Sequence, residues 1–305
     1  MKVLIIGLGS IGKKHVGTIK LTYPHAEIFA LRSSKNSEIL PEITNIYNLN
    51  DIELNGIDFV IISNPTSEHK KTISKLIEYN VPLFIEKPVY SSLDIEDLVN
   101  TVKSKGISTY IACNLRFLDC IKFIKEKLPL IPNKKINEVN VYCGSYLPDW
   151  RPGVDFRKSY SANAELGGGV HIDLIHEIDY LYWLFGEPKN VKKTFKSQST
   201  LSISSIDYAN YVLEFNGFCT NVVLNYYRRD PKRTFELVFN DETWNIDLLQ
   251  NQITCNNQII FKSEQRIVDT YQTQMNYFIE CLNGNESTFN SISDAYNVLK
   301  ICLEQ

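Results

Sequence analysis

Hydrophobic and polar positions change their period twice along the chain. From residue 1 to about 118, short apolar runs alternate with stretches of helical spacing: strands at 2–6, 27–31, 58–62, 82–85 and 109–112, and helices at 12–21, 67–79 and 92–104. Strands that are apolar throughout and separated by helices belong in a parallel sheet covered on both faces. The pattern then turns to consecutive strands at 137–146, 207–215, 220–227, 234–239, 243–247, 251–256 and 258–261, joined by turns such as Asn240-Asp241 and Asn256-Asn257. Such a run predicts a large open antiparallel sheet, interrupted by one helix at 168–185 that Gly186 and Pro188 stop. The segments 265–282 and 293–303 are helical again. The expected fold is α/β: a doubly wound domain at 1–118 with the helices of 265–305 packed back on it, then an α+β domain at 119–264.

Composition narrows the function. The 305 residues carry 32 Lys+Arg against 35 Asp+Glu, a net charge of −3, which removes support for a polyanion-binding role. The basic cluster at 228–233 contains its own Asp230 and is expected to be a solvated turn, so no nucleic-acid partner is predicted. No uncharged apolar run approaches the ~20 residues that span a bilayer, and no membrane partner is expected. The run Val3 to Ile6 is cut by Gly7, Gly9 and Gly12 and meets Lys13 and Lys14, so it reads as mature structure rather than a signal peptide. Seven cysteines, scattered and without a CxxC, suggest thiols in a reducing cytoplasm.

The sharpest local signal is Gly7-Leu8-Gly9-Ser10-Ile11-Gly12, directly after an apolar strand and opening a helix. Gly7 permits the tight turn, Gly9 lets backbone approach a diphosphate, and Gly12 lets helix and strand pack closely; Ser10 and Ile11 offer amides at the helix N-terminus. About twenty residues on, where an NAD-specific chain carries a carboxylate, stands Leu31-Arg32-Ser33-Ser34-Lys35. Arg32 with Ser33 and Ser34 can hold a 2′-phosphate through charge-assisted hydrogen bonds, which favours NADP over NAD. The alternative is an ordinary solvated turn. Two more segments, Asn64-Pro65-Thr66 with His69, and Glu86-Lys87-Pro88, follow strands at the edge where open parallel sheets bind ligands, and are assigned to the cofactor. Arg116, after a further strand end, is expected at cofactor or substrate.

Taken in order, Gly7–Gly12, Asn64–His69, Glu86-Lys87-Pro88, Asn114-Leu115-Arg116-Phe117 and Gly167-Gly168-Gly169 through Asp173 and His176-Glu177-Ile178-Asp179 resemble the glucose-fructose oxidoreductase / inositol dehydrogenase / rhizopine-catabolism (Gfo/Idh/MocA) family. The likeness spans essentially the whole chain. It implies a Rossmann domain followed by an open-sheet domain, with NAD(P)-linked oxidation or reduction at a carbon of a sugar, cyclitol or nucleotide sugar. It also implies Lys87 as catalytic lysine, and Asp173 and His176 as the acid/base pair at the substrate. Relatives often space that Asp and His four apart; here they are three apart. The segment from Tyr146 through Trp150 to Gly167 looks most like members associated with surface-polysaccharide and nonulosonic-acid biosynthesis.

The chemistry agrees with these roles. On one helix Asp173 and His176 would share a face. Hydride loss from a carbinol carbon requires its hydroxyl proton to leave, and a histidine is a natural acceptor near neutral pH. The Lys87 ammonium can stabilise alkoxide charge, or act as the base if desolvation lowers its pKa. Tyr146 and Trp150 are candidates to wall a sugar pocket, or to form an interface. Residues 171 and 176 would lie about 140° apart on an ideal helix and no cluster completes a shell, so no metal is expected. The competing class is a non-catalytic NAD(P)- or sugar-binding regulator of the same fold. An open sheet face commonly buries itself between subunits, so a homodimer or homotetramer is expected.

Overall fold

A computed structural model of the chain describes residues 1–36 and 38–304. Two compact units are present, Met1–Cys113 with Tyr271–Gln305, and Asn114–Thr270. The first begins β1 (Lys2–Ile6), α1 (Ser10–Thr22), β2 (Glu27–Leu31), β3 (Ile43–Ile46) and β4 (Phe59–Ile62), then α2 (His69–Leu76), β5 (Leu83–Ile85), α3 (Glu96–Ser104) and β6 (Thr109–Ile111). All neighbours pair in parallel in the order β3-β2-β1-β4-β5-β6. The order reverses between β1 and β4, so the loops after these strands diverge and leave a crevice at their carboxyl ends. Val3, Leu4, Ile5, Val60, Ile61 and Ile62 are buried without alternation, which is why the sequence shows unbroken apolar runs here. β3 was not legible: its four residues carry Thr44 and Asn45 at its centre and sit on the sheet's edge.

The second unit contains α4 (Asp119–Lys127), β7 (Ile136–Tyr146), α5 (Val170–Asp173), α6 (His176–Phe185), β8 (Asn190–Lys196), β9 (Tyr208–Glu214), β10 (Cys219–Asn225), β11 (Tyr227–Phe239), β12 (Thr243–Asp247), β13 (Gln252–Cys255) and β14 (Gln258–Lys262). They form an eight-stranded sheet in the order β14-β13-β12-β11-β7-β10-β9-β8. The sheet is antiparallel except where β7 pairs in parallel with β10. That exception follows from the long connection carrying α5 and α6, since a parallel neighbour needs a crossover rather than a hairpin. β8 escaped the sequence reading because its Lys192, Lys193 and Lys196 are those of a charged edge strand, which resists pairing with another chain.

Two other expectations change. The helix read across 168–185 is two helices, with Leu174 and Ile175 between Asp173 and His176. There Ile175 and Glu177 donate to Ile172 and Leu174, three residues back instead of four, so the α ladder is interrupted where Leu174 and Ile175 bury their side chains. The cluster at 228–233 is no turn but the start of β11. Pairing with β7 jumps from Tyr227–Tyr146 to Lys232–Gly144, and the extra residues bulge out of the ladder.

The chain ends with α7 (Thr270–Gly284) and α8 (Ile292–Leu303). Within the first unit Phe278 of α7 packs against Phe59, Phe84 and Tyr110 at centroid distances of 5.3, 5.5 and 6.0 Å. Asn290 holds the edge strand β6 with backbone and side chain together, its carbonyl accepting from Ile111 N–H at 2.9 Å while its side-chain Nδ2 donates to Ile111 O at 2.8 Å.

Candidate functional site

In the first unit the six-residue glycine motif joins β1 to α1. Gly7 adopts φ +94°, and a Cβ on it would lie 2.3 Å from Asn64 N; one on Gly12 would lie 2.4 Å from Gly7 O. Gly9, which caps α1, meets nothing within 4 Å. The turn is therefore packed shut at its first and third glycines and open above the second. The amides of Ser10 and Ile11 stand in the first helical turn, where no intrahelical acceptor exists. The shape fits a diphosphate held by backbone donors at a helix N-terminus.

The loops after β4 and β5 border this turn. Ser63 Oγ donates to Gly7 O at 2.7 Å, and Asn64 Nδ2 donates to Thr72 Oγ1 at 2.9 Å. His69 is buried, its ring nitrogens 3.1 Å from Asn64 O and 3.2 Å from Val89 O, so it braces the loop Asn64-Pro65-Thr66. Burial pushes its pKa below 6.5, which favours the neutral ring. Glu86 is also buried, with Oε1 2.6 Å from His15 Nε2 of α1, and Lys87 beside it is half-buried. This buried His15–Glu86 pair links the phosphate-binding helix to the residue before Lys87. No spacing rule pointed to it.

Arg32 Nη1 donates to Asn45 Oδ1 at 2.7 Å and to Glu38 O at 3.0 Å; Ser33 and Ser34 are exposed. A carboxylate does reach this corner, from the loop rather than the strand end: Glu38 Oε2 lies 2.5 Å from Lys13 Nζ, whose hydrogen bond lowers the Glu38 pKa.

In the second unit Asn114–Phe117 is a buried 3-10 turn. Arg116, expected at cofactor or substrate, is only 1% exposed; its Nε and Nη2 donate to Asp179 Oδ2 and Oδ1 at 2.9 and 2.7 Å. Arg233 forms a similar fork on Glu177, at 2.6 and 3.1 Å. The acidic residues flanking Ile178 on α6 are thus both held by arginines.

Asp173 ends α5 and accepts from the Tyr226 hydroxyl at 2.5 Å; His176 begins α6 and is buried. Trp150 stands edge-on to Tyr226 (5.4 Å, 90°) and donates from Nε1 to Ser145 Oγ at 2.9 Å. Tyr146 does not join it. Strand alternation sets Tyr146 with Tyr142 on the open face of the sheet, beneath the Arg229 guanidinium at 3.8 Å, whereas Tyr226 turns the other way toward Asp173. His171 packs on Phe195 at 5.0 Å, and burial drives its pKa to about 4. Among the described residues no three His, Cys, Asp or Glu are placed to hold a metal ion.

Comparison with known proteins decides the relationship. The oxidoreductase family with an NAD-binding Rossmann fold, GFO_IDH_MocA, matches residues 1–112, and the GFO/IDH/MocA C-terminal domain matches residues 129–244. The chain belongs to the Gfo/Idh/MocA family. It is 24% identical to an uncharacterized oxidoreductase, YrbE, of Bacillus subtilis, over 93% of its own length and 87% of that protein's. Similarity to myo-inositol 2-dehydrogenase of Thermotoga maritima is also 24%, over 74% of this chain and 68% of the other. A solved UDP-N-acetylglucosamine 3-dehydrogenase from Acidithiobacillus ferrooxidans shares the fold, with a TM-score of 0.78 at 18% identity over 99% and 95% of the two chains.

As a Gfo/Idh/MocA oxidoreductase the chain uses a nicotinamide dinucleotide, and its residues fit one. The opening above Gly9 is where a diphosphate would lie, held by the first-turn amides of α1. No described helix is long and apolar enough to cross a membrane.

Proposed function

We propose that the protein is an NADP(H)-preferring dehydrogenase or reductase acting on a hydroxyl or keto carbon of a sugar, cyclitol or nucleotide sugar in the cytoplasm. The observation that carries this reading is the His15–Glu86 pair, which ties the helix of the phosphate cradle to the strand end bearing Lys87. A nicotinamide dinucleotide held by the Gly7–Gly12 cradle would supply or accept the hydride. Lys87 hydrogen-bonds the substrate oxygen and stabilises its negative charge; His176 takes up the hydroxyl proton in oxidation and returns it in reduction. Asp173 faces the substrate hydroxyl and forms the acid/base pair with His176. At the corner where a 2′-phosphate would lie, Lys13 pairs with the Glu38 carboxylate and Arg32 donates to the Glu38 backbone carbonyl; the two cations there support NADP.

The direct test is a panel of hexoses, cyclitols and nucleotide sugars with both cofactors, followed at the reduced-nicotinamide absorbance. A substrate-dependent change is expected, faster with NADP(H). Arg32→Ala should weaken NADPH binding by about tenfold and leave NADH binding nearly unchanged, since a charge-assisted pair to phosphate is worth roughly 1.4 kcal/mol or more. Tighter binding of NADH than NADPH by wild type would reverse the cofactor assignment. A chain that binds dinucleotide yet turns over nothing in the panel would favour the regulator.

The open sheet face supports self-association. It carries a groove of about 510 Å³ lined by residues including Asn140, Tyr142, Asn221, Lys232 and Glu236. One end is basic, with Arg228 and Lys232 each 5.2 Å from the Tyr142 ring. The other is acidic, with Asn140 Nδ2 donating to Glu138 and Glu236 at 2.9 and 2.8 Å. A two-fold axis across the strands would set each basic end on the partner's acidic end, an isologous contact. Light scattering at micromolar concentration should give a dimer or tetramer mass; a mass of 35.1 kDa would refute it.

A further inference from the structure

We infer that Tyr226 is a positioning residue for the proton-transfer site: its hydroxyl fixes Asp173 in the orientation from which that carboxylate addresses the substrate. The inference rests on the substrate-facing role proposed for Asp173 and adds a residue from a different part of the sequence.

Tyr226 immediately follows β10, and its backbone is held on both sides. Its N–H donates to Asp207 O at 3.1 Å and its carbonyl accepts from Leu147 N–H at 2.8 Å. Its neighbour Asn225 faces the open side of the sheet, where Nδ2 donates to the Tyr142 hydroxyl at 2.7 Å, so alternation turns Tyr226 inward. There the side chain is fully buried, and the edge of Trp150 restrains the ring at 5.4 Å. A phenol held by backbone on two sides and by an indole on a third has little freedom.

The hydroxyl points one way chemically as well as geometrically. Burial, and then the charge of Asp173, raise the Tyr226 pKa well above 10, so the oxygen keeps its proton and acts as a donor. Its one proton goes to Asp173 Oδ2 at 2.5 Å, while the Ser161 hydroxyl hydrogen-bonds the same phenol oxygen. Asp173 needs such a hold. It closes a helix of only four residues, after which the ladder breaks, and it is partly exposed. The donor from Tyr226 favours one rotamer of that carboxylate. Misplacing a reacting group by about 1 Å can cost roughly 100-fold in rate.

The test is a double-mutant cycle of Tyr226→Phe and Asp173→Asn. Phe keeps the ring and its packing on Trp150 and removes only the donor. Dinucleotide affinity by fluorescence titration and thermal midpoint establish that each variant is folded. In the wild-type background Y226F should lower kcat by about 100-fold, with the KM for dinucleotide within about twofold. In the D173N background the same change should cost less than about twofold, because a residue acting through Asp173 has nothing left to position. Equal losses in both backgrounds would reveal a general structural role and overturn the inference. So would an impaired D173N beside a Y226F with wild-type kcat, which leaves the role of Asp173 standing. Wild-type kcat in D173N would instead overturn the role of Asp173 itself, and the inference with it.

Discussion

Alanine at Lys87 or at His176 is expected to lower kcat by about 100- to 10,000-fold each, with the dinucleotide still bound. That range is typical of removing a general acid or base, or a group that stabilises developing oxyanion charge. Neither residue belongs to the cradle of Gly7, Gly9 and Gly12, where backbone amides do the holding. Fluorescence titration of NADPH should therefore give a dissociation constant close to wild type in both variants, while steady-state kinetics on the best substrate of the panel show the loss. Wild-type turnover in both would end the proposed mechanism. The two variants should also differ. Truncating Lys87 removes a charge from the substrate oxygen, and small added amines can restore part of the rate; truncating His176 removes the proton acceptor, and imidazole is the matching rescue.

Breaking the Arg116–Asp179 pair should markedly destabilise the second unit. Both side chains are 1% exposed and joined by two hydrogen bonds, so Arg116→Met leaves a buried carboxylate without its counter-charge. Removing one partner of such a pair costs about 3–5 kcal/mol, a large fraction of a domain's stability. Urea denaturation followed by tryptophan fluorescence measures it, since Trp183 lies 5.8 Å from the Arg116 guanidinium. Replacing both partners, Arg116→Met with Asp179→Leu, should recover most of the loss because no lone charge remains. A single variant as stable as wild type would show that the pair is not needed to hold α6.

The nucleotide-binding half was largely legible because its signals are local. Gly7, Gly9 and Gly12 act through backbone sterics between adjacent elements, and the unbroken apolar runs of β1 and β4 record burial on both faces. The second unit was legible as a sheet, since alternation is also local, but its exceptions were not. Arg116 read as a ligand because it follows a strand end, yet its partner Asp179 is 63 residues away. The strand β11 read as a turn at its basic start because a bulge puts charged residues where alternation would demand a regular ladder.

What the sequence determined by itself is the fold class, the family, the diphosphate cradle and the identity of Lys87, Asp173 and His176 as the residues to test. The fold class and the cradle depend on side-chain type at short spacing, and the three residues to test on motifs that resemble the family's. What only the tertiary structure decided is which polar groups face one another: His15 with Glu86, Arg116 with Asp179, Arg233 with Glu177, and Tyr226 with Asp173. Those partners are 53 to 71 residues apart. A buried polar group must find a hydrogen-bonding partner wherever the packing brings one, and nothing in linear spacing records that meeting. The same packing broke the expected single helix, setting Asp173 at the end of one and His176 at the start of the next.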